Sequence, residues 1–231
     1  MTETERPFLR AFVDPEAVAR YAEGAPRFVP GFEALHRMTG ILLGERTPSD
    51  ARVLVLGAGG GLELRALALA HPHWTFVGVD PARPMLDLAA QTLGPLIARV
   101  ELTEGYIDDA PQGPFDAAAC LLTLHFLDAP ERLRTARAIH RRLKAGAPFV
   151  MANNCLPKEP EARALWLDRY AAYAVASGAD AAQAQAMRNA VEAGSTLFSP
   201  EQDEAILREA GFADAELFYS AFTWRGWIGH A

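Results

Sequence analysis

The chain of 231 residues has little of several features that mark particular protein classes. Cysteine occurs only twice, as Cys120 and Cys155 in apolar surroundings, which argues against a disulfide scaffold and a Cys-rich zinc site. Lysine also occurs only twice, and the net charge of −7 does not suit a general nucleic-acid binder, which needs clustered positive charge. The longest apolar run, residues 117–124, is far shorter than the roughly 18 residues of a membrane span.

The composition favours a folded protein that acts on small molecules. Half of the residues are hydrophobic and 22% are charged, which is sufficient for a packed core. The N-terminal residues MTETER are acidic where a signal peptide would be basic, and no hydrophobic stretch follows, so we expect a cytoplasmic protein. A small-molecule substrate is expected, with neither nucleic acid nor membrane as a partner. A homodimer remains open.

Hydrophobic runs of strand length alternate with helical segments from residue 52 onward. RVLVLG, WTFVGVD and PFVMANN are continuous apolar runs, typical of parallel strands that are buried on both faces. The pattern predicts one α/β domain: a doubly wound, Rossmann-like, mainly parallel seven-stranded sheet. We divide the domain into a helical cap (1–50), a central core (51–155), a helical insertion (156–198), and a C-terminal helix with two strands (199–231).

A glycine-rich loop follows the first predicted strand. Gly57, Gly59 and Gly61 let the backbone approach a ligand closely at the carboxyl edge of the sheet. Asp80 ends the second predicted strand, 19 residues after Gly61, where a carboxylate can accept both hydroxyls of a ribose. Leu62 stands where a dinucleotide fingerprint has its third small residue, so another nucleoside cofactor is favoured.

The glycine spacing resembles the first motif of class I S-adenosylmethionine (SAM) dependent methyltransferases, in which the loop accommodates the amino-acid part of the cofactor. The segments RFVPGFEALHRMTG, TLHFLDAPERLRTARAIHRRLKAGAPFVM and GFADAELFYSAF resemble the bacterial subgroup that contains carboxy-SAM synthase and its methyltransferase relatives. The resemblance implies SAM as cofactor and makes residues 51–155 the cofactor-binding core. The implied cofactor-binding residues are Gly57, Ala58, Gly59, Gly61, Asp80, Pro81, Tyr106, Ile107 and Leu121, with Tyr106 and Ile107 beside the adenine.

Several positions depart from the family pattern. Val55 stands where the family usually has an acid, two residues before the first glycine. Phe32 and Leu121 stand where carboxy-SAM synthase has a tyrosine and an asparagine, and Arg188 aligns loosely with the arginine that reads its extra carboxylate. Three functions therefore stay open: a small-molecule methyltransferase, a carboxy-SAM synthase-like enzyme, and a degenerate, non-catalytic nucleoside-binding protein.

His125 is the candidate catalytic residue because it follows the fourth predicted strand, at the edge where the methyl group is expected. The alternative is a partly buried histidine that only hydrogen-bonds the backbone. The candidate substrate-binding residues are Arg27, Asn154, Trp166 and Arg188. Alternatively, the two arginines form ion pairs at the surface, Asn154 belongs to a turn, and Trp166 belongs to an aromatic helix face that packs in the core. No metal site is predicted, since His71 and His73 lack a third ligand.

Overall fold

The computed structural model describes residues 10–193 and 197–231 and has a seven-stranded sheet at its centre. The strands are β1 (Arg52–Leu56), β2 (Thr75–Asp80), β3 (Val100–Glu104), β4 (Ala117–Leu121), β5 (Pro148–Asn154), β6 (Ala213–Ala221) and β7 (Trp224–His230). Their order in the sheet is β3-β2-β1-β4-β5-β7-β6. The first five strands are parallel, and β7 pairs antiparallel with β5 and β6. The predicted mainly parallel seven-stranded fold is confirmed.

Ten α-helices lie within the described ranges. They are α1 (Arg10–Val13), α2 (Pro15–Ala19), α3 (Tyr21–Phe28), α4 (Phe32–Gly44), α5 (Leu62–Ala70), α6 (Arg83–Leu93), α7 (Ala129–His140), α8 (Pro160–Ala176), α9 (Ala181–Ala193) and α10 (Pro200–Ala210). The first four helices form the predicted cap, and α8 and α9 form the insertion, although the boundaries drawn between the parts stay predictions. Residues 1–9 of the cap and 194–196 of the insertion lie outside the described residues. None of these ten helices is long and apolar enough to cross a membrane.

Local sequence signals account for several helix ends. The Asp128 carboxylate accepts the Glu131 N–H at 2.9 Å and so caps the start of α7. At the start of α10, the Gln202 side chain accepts the Ser199 N–H at 3.0 Å, as in a capping box. Gly211, with a φ of 108°, ends α10 in the left-handed conformation that glycine adopts readily.

The core has two apolar layers, one on each face of the sheet. Val53 and Val55 of β1 belong to the layer that also contains Leu35 of α4 and Leu64 of α5. Leu54 and Leu56 face the opposite layer, which contains residues of α7 and α10. Because both faces of β1 are covered, its sequence is a continuous apolar run.

The cap is held against the C-terminal strands and the insertion. Trp224 of β7 donates its indole N–H to the Phe28 carbonyl at 2.9 Å. Tyr219 of β6 donates its hydroxyl to the Pro30 carbonyl at 2.5 Å. Tyr170 of α8 is buried, with its ring centre 5.6 Å from that of Phe28. These contacts fix helices α3 and α4 above the carboxyl edge of the sheet.

Candidate active site

A cavity lies at the carboxyl ends of the parallel strands and is covered by helices of the cap. Eight of the nine predicted cofactor-binding residues line it: Gly57, Ala58, Gly59, Asp80, Pro81, Tyr106, Ile107 and Leu121. The ninth, Gly61, has a different role. A Cβ atom there would lie 2.9 Å from Cα of Ala89, so glycine allows α6 to approach the loop closely.

The glycine loop is fixed mainly by its backbone. Gly57 and Ala58 donate their N–H groups to the Val79 carbonyl, at 2.8 and 3.0 Å. Gly57 has a φ of 79°, and a Cβ atom at this position would overlap the Thr123 side chain. Only glycine therefore fits between the end of β1 and the turn that follows β4.

Asp80 is the charged group that β2 brings to the loop. Its Oδ2 accepts the Gly59 N–H and its Oδ1 accepts the Ala82 N–H, both at 2.9 Å. Burial raises the pKa of the carboxyl group, while the two backbone hydrogen bonds act in the opposite direction. The carboxylate is thereby oriented beside the glycine loop, as a ribose ligand would have to be.

The turn after β3 forms the next part of the wall. The Tyr106 N–H donates to the Asp109 carboxylate at 2.8 Å, which begins a short 3-10 helix, Ile107–Asp109. Ile107 is buried, and both Tyr106 and Ile107 line the cavity. An apolar side chain and an aromatic ring at this place suit the flat face of a nucleobase.

Four cap residues line the opposite wall: Phe12, Tyr21, Phe32 and His36. The sequence alone pointed only to Phe32, as the residue at the position of a tyrosine in carboxy-SAM synthase. The Tyr21 ring covers the loop so closely that a Cβ atom at Gly60 would lie 2.8 Å from it. Burial, together with the nearby carboxyls of Asp80 and Glu63, raises the pKa of the Tyr21 hydroxyl. In the sequence, the cap helices lie near neither a glycine motif nor the end of a predicted strand, so no local signal marks these residues as functional.

Two further titratable residues line the cavity without having been predicted. Glu63, in the first turn of α5, is 6% exposed, and burial raises its pKa to about 8. His36 of α4 packs against Phe32, and burial lowers its pKa to about 4. The position of Glu63 two residues after the last loop glycine was a usable sequence signal, whereas His36 offered none.

His125 lies outside the lining of this cavity. It is buried beside Trp224, with the ring centres 5.5 Å apart, and its Nδ1 accepts the Asn154 N–H at 3.5 Å. Burial and the positive charge of Arg132 lower its pKa to about 3. This geometry matches the backbone-bonded alternative, and it places Asn154 beside His125 instead of at the cavity.

The other predicted substrate-binding residues are also dispersed. Arg188 forms ion pairs with Asp168 at 2.7 Å and with Glu192 at 2.8 Å. Trp166 borders a separate cavity at the insertion, and Arg27 is in the last turn of α3 but lines neither of the two cavities. The structure therefore does not bring this predicted set to the cavity, since none of its four members lines it.

The cavity fits a nucleoside that carries an amino-acid tail. The glycine loop leaves no room for side chains, Asp80 offers a carboxylate for hydroxyl groups, and the buried Glu63 Oε1 has no hydrogen-bond partner among the described residues. Residues 54–149 match the family model of the methyltransferase domain. This stretch of the chain carries a SAM-dependent methyltransferase domain. SAM is the cofactor of this family.

Alignments with related proteins cover most of the chain, beyond the methyltransferase domain itself. A carboxy-S-adenosyl-L-methionine synthase from Actinobacillus succinogenes is 25% identical over 201 residues, which cover 85% of this chain and 83% of the relative. Among solved structures, an O-methyltransferase family protein from Burkholderia thailandensis has a TM-score of 0.67 at 20% identity and covers 95% of this chain. PigF with SAH (S-adenosylhomocysteine) has a TM-score of 0.67 at 21% identity and covers 97% of this chain. This chain spans 61% and 62% of the lengths of those two solved chains.

Proposed function

We propose that the protein is an enzyme that methylates a small molecule held between the glycine loop and the helical cap. The observation that carries the proposal is that one cavity combines Asp80 and the glycine loop with an apolar wall from the cap. Bound SAM supplies an activated methyl group. An enclosed site with mostly apolar walls and a few polar groups suits a small organic substrate.

Each wall has its own task in this proposal. Asp80 accepts the ribose hydroxyls, Tyr106 and Ile107 flank the adenine, and the loop accommodates the amino-acid end. Phe32 and Leu121 exclude water, which favours methyl transfer through alignment and desolvation. His36, which is neutral at pH 7 with a pKa of about 4, lies on the cap wall and is available to accept a proton from the substrate.

The proposed substrate is not a nucleic acid. The protein has a net charge of −7, and its cavity is lined by Asp80 and Glu63. A polyanion would be repelled both by the protein as a whole and by this site. The cavity is also a concave site below the cap, which suits a small ligand better than a duplex.

The cofactor assignment is tested by calorimetry with SAM, SAH and NAD. Asp80→Asn removes the negative charge and one of the two acceptor oxygens, so SAH affinity should fall by about 10- to 100-fold. Asp87→Asn is the matched control, since Asp87 lies on α6 and pairs with the exposed Arg83. An unchanged SAH affinity in Asp80→Asn would contradict the assignment. Binding of NAD to the wild-type protein would indicate NAD as the cofactor instead.

A carboxy-SAM synthase-like function is the second candidate, favoured by the names of the curated relatives. Against it, Arg188 is occupied by Asp168 and Glu192 and lies away from the cavity. Mass spectrometry of ligand extracted from the purified protein separates the two candidates. SAM or SAH supports the methyltransferase, whereas a SAM derivative in which one carboxyl group replaces a hydrogen supports the second candidate. A folded protein that binds none of these ligands supports the non-catalytic alternative.

A further inference from the structure

Glu63 is a buried acid that the proposed methyl transfer does not use. It lies in the first turn of α5, directly after the glycine loop, and its side chain lines the cavity. Its Oε1 is buried and has no hydrogen-bond partner among the residues described, and no salt bridge joins it to them. A buried carboxyl group without a partner is costly, so such a group usually meets a ligand.

The two side chains whose pKa values Glu63 influences carry no positive charge. The negative charge of Glu63 contributes to the raised pKa values of Tyr21 on α3 and Cys120 on β4. Asp80, also close to Tyr21, is a second acid on the same wall. The protein thus provides carboxyl groups at this end of the cavity, and the complementary ligand group is a cation.

The ligand that the site takes has such a cation. The amino-acid end of SAM carries an α-ammonium group, and the family's usual acid near the loop is replaced by Val55, whose side chain is buried in the core. We infer that Glu63 binds the α-ammonium group of the cofactor, an inference that rests on the proposed placement of the cofactor over the glycine loop. Glu63 then supplies from α5 the negative charge that position 55 lacks.

Calorimetry on Glu63→Gln with three ligands tests this role. SAH carries the ammonium group, SAM carries both the ammonium and a positive sulfonium, and 5′-methylthioadenosine lacks the amino-acid end. The variant should lose about 10- to 100-fold in affinity for SAM and SAH, because it loses a charge-assisted hydrogen bond. Its affinity for 5′-methylthioadenosine should stay within about threefold of wild type. Glu33→Gln, at an exposed glutamate of α4, is the matched control.

Three results would overturn the inference. Equal losses for all three ligands would mean that Glu63 only maintains the loop, and a loss for SAM alone would mean that it reads the sulfonium. Unchanged affinity for SAH would remove it from the site. If wild-type protein binds neither SAH nor 5′-methylthioadenosine, the proposed placement of the cofactor is wrong, and the role inferred for Glu63 is wrong with it. If wild-type protein binds both ligands, the cofactor placement holds, and an unexpected result for Glu63→Gln contradicts only the role of Glu63.

The pH dependence of SAH affinity gives a second readout. The pKa of Glu63 is about 8 in the free protein, so Glu63 is mostly protonated at pH 7 and must release its proton to pair with the ammonium. Affinity should therefore rise with pH between about 6 and 8, by up to about tenfold per pH unit. Among the other titratable groups of this wall, His36 has a pKa of about 4, and the pKa values of Tyr21 and Cys120 are raised above their usual values. Burial also raises the pKa of Asp80, and Glu63→Gln leaves Asp80 in place, so the variant separates the two carboxyl groups. A slope that persists in Glu63→Gln would contradict the assignment.

Discussion

The two walls of the cavity are built in different ways. The sheet wall is fixed by backbone geometry: Gly57 and Ala58 are hydrogen-bonded to the end of β2, and Asp80 binds two backbone N–H groups. The cap wall consists of side chains on separate helices, among them Tyr21 and His36, and it is held in place by contacts to α8 and β7.

This difference separates what the family shares from what the individual protein selects. Backbone groups at the ends of parallel strands can bind the same cofactor in many sequences, because they do not depend on side-chain identity. Side chains on the cap can change without disturbing the sheet. We therefore expect the sheet wall to determine cofactor binding and the cap wall to determine the substrate.

The largest expected effect tests the rigidity of the sheet wall. Gly57→Ala introduces a Cβ atom that overlaps Thr123, at a φ of 79° that alanine disfavours by about 1–2 kcal/mol. SAH affinity should fall by more than about 100-fold, which calorimetry measures, with circular dichroism to confirm that the protein is folded.

Gly178→Ala is the matched control for Gly57→Ala. Gly178 also has a positive φ, 89°, but a Cβ atom there would meet nothing within 4 Å. This variant should lose no more than about 1–2 kcal/mol of stability and keep its SAH affinity. If Gly57→Ala binds SAH as well as Gly178→Ala does, the sheet wall is not rigid, and the contrast between the walls fails.

The sheet wall was also the part that the sequence could predict. Its signals are local: a glycine loop after one strand and an acid after the next, and parallel strands bring both to one edge. Eight of the nine predicted cofactor residues line the cavity for this reason. Gly61 is the exception, because its lack of a side chain serves the packing of α6 on the loop.

The cap wall could not be predicted, because its contacts join residues far apart in sequence. Tyr21 meets Gly60, and Trp224 bonds to Phe28 across 196 positions. Helical periodicity indicates that such residues are buried, but not which cavity they face. His125 shows the opposite case: it follows a strand that ends at the cavity, yet its ring packs beside Trp224 and does not line the cavity.

The next expected effect concerns the two buried histidines. His125→Gln should destabilise the protein by about 1–3 kcal/mol in thermal or urea unfolding, since the ring packs on Phe126 and accepts the Asn154 N–H. Its SAH affinity should remain within about threefold of wild type. His36→Gln should cost less stability, because His36 borders the cavity. Lost turnover with unchanged stability in His125→Gln would restore His125 as the proton acceptor.

The smallest expected effect lies outside both walls, at Arg188. Its guanidinium pairs with Asp168 and Glu192, whose side chains are 64% and 52% exposed, so Arg188→Ala should change stability by no more than about 1 kcal/mol. The affinities for SAH and for carboxylated SAM should both be unchanged, since no residue of α9 lines the cavity. Calorimetry with the two ligands decides this point. A selective loss of the carboxylated ligand would show that the insertion closes over the site, and it would favour the carboxy-SAM synthase-like function.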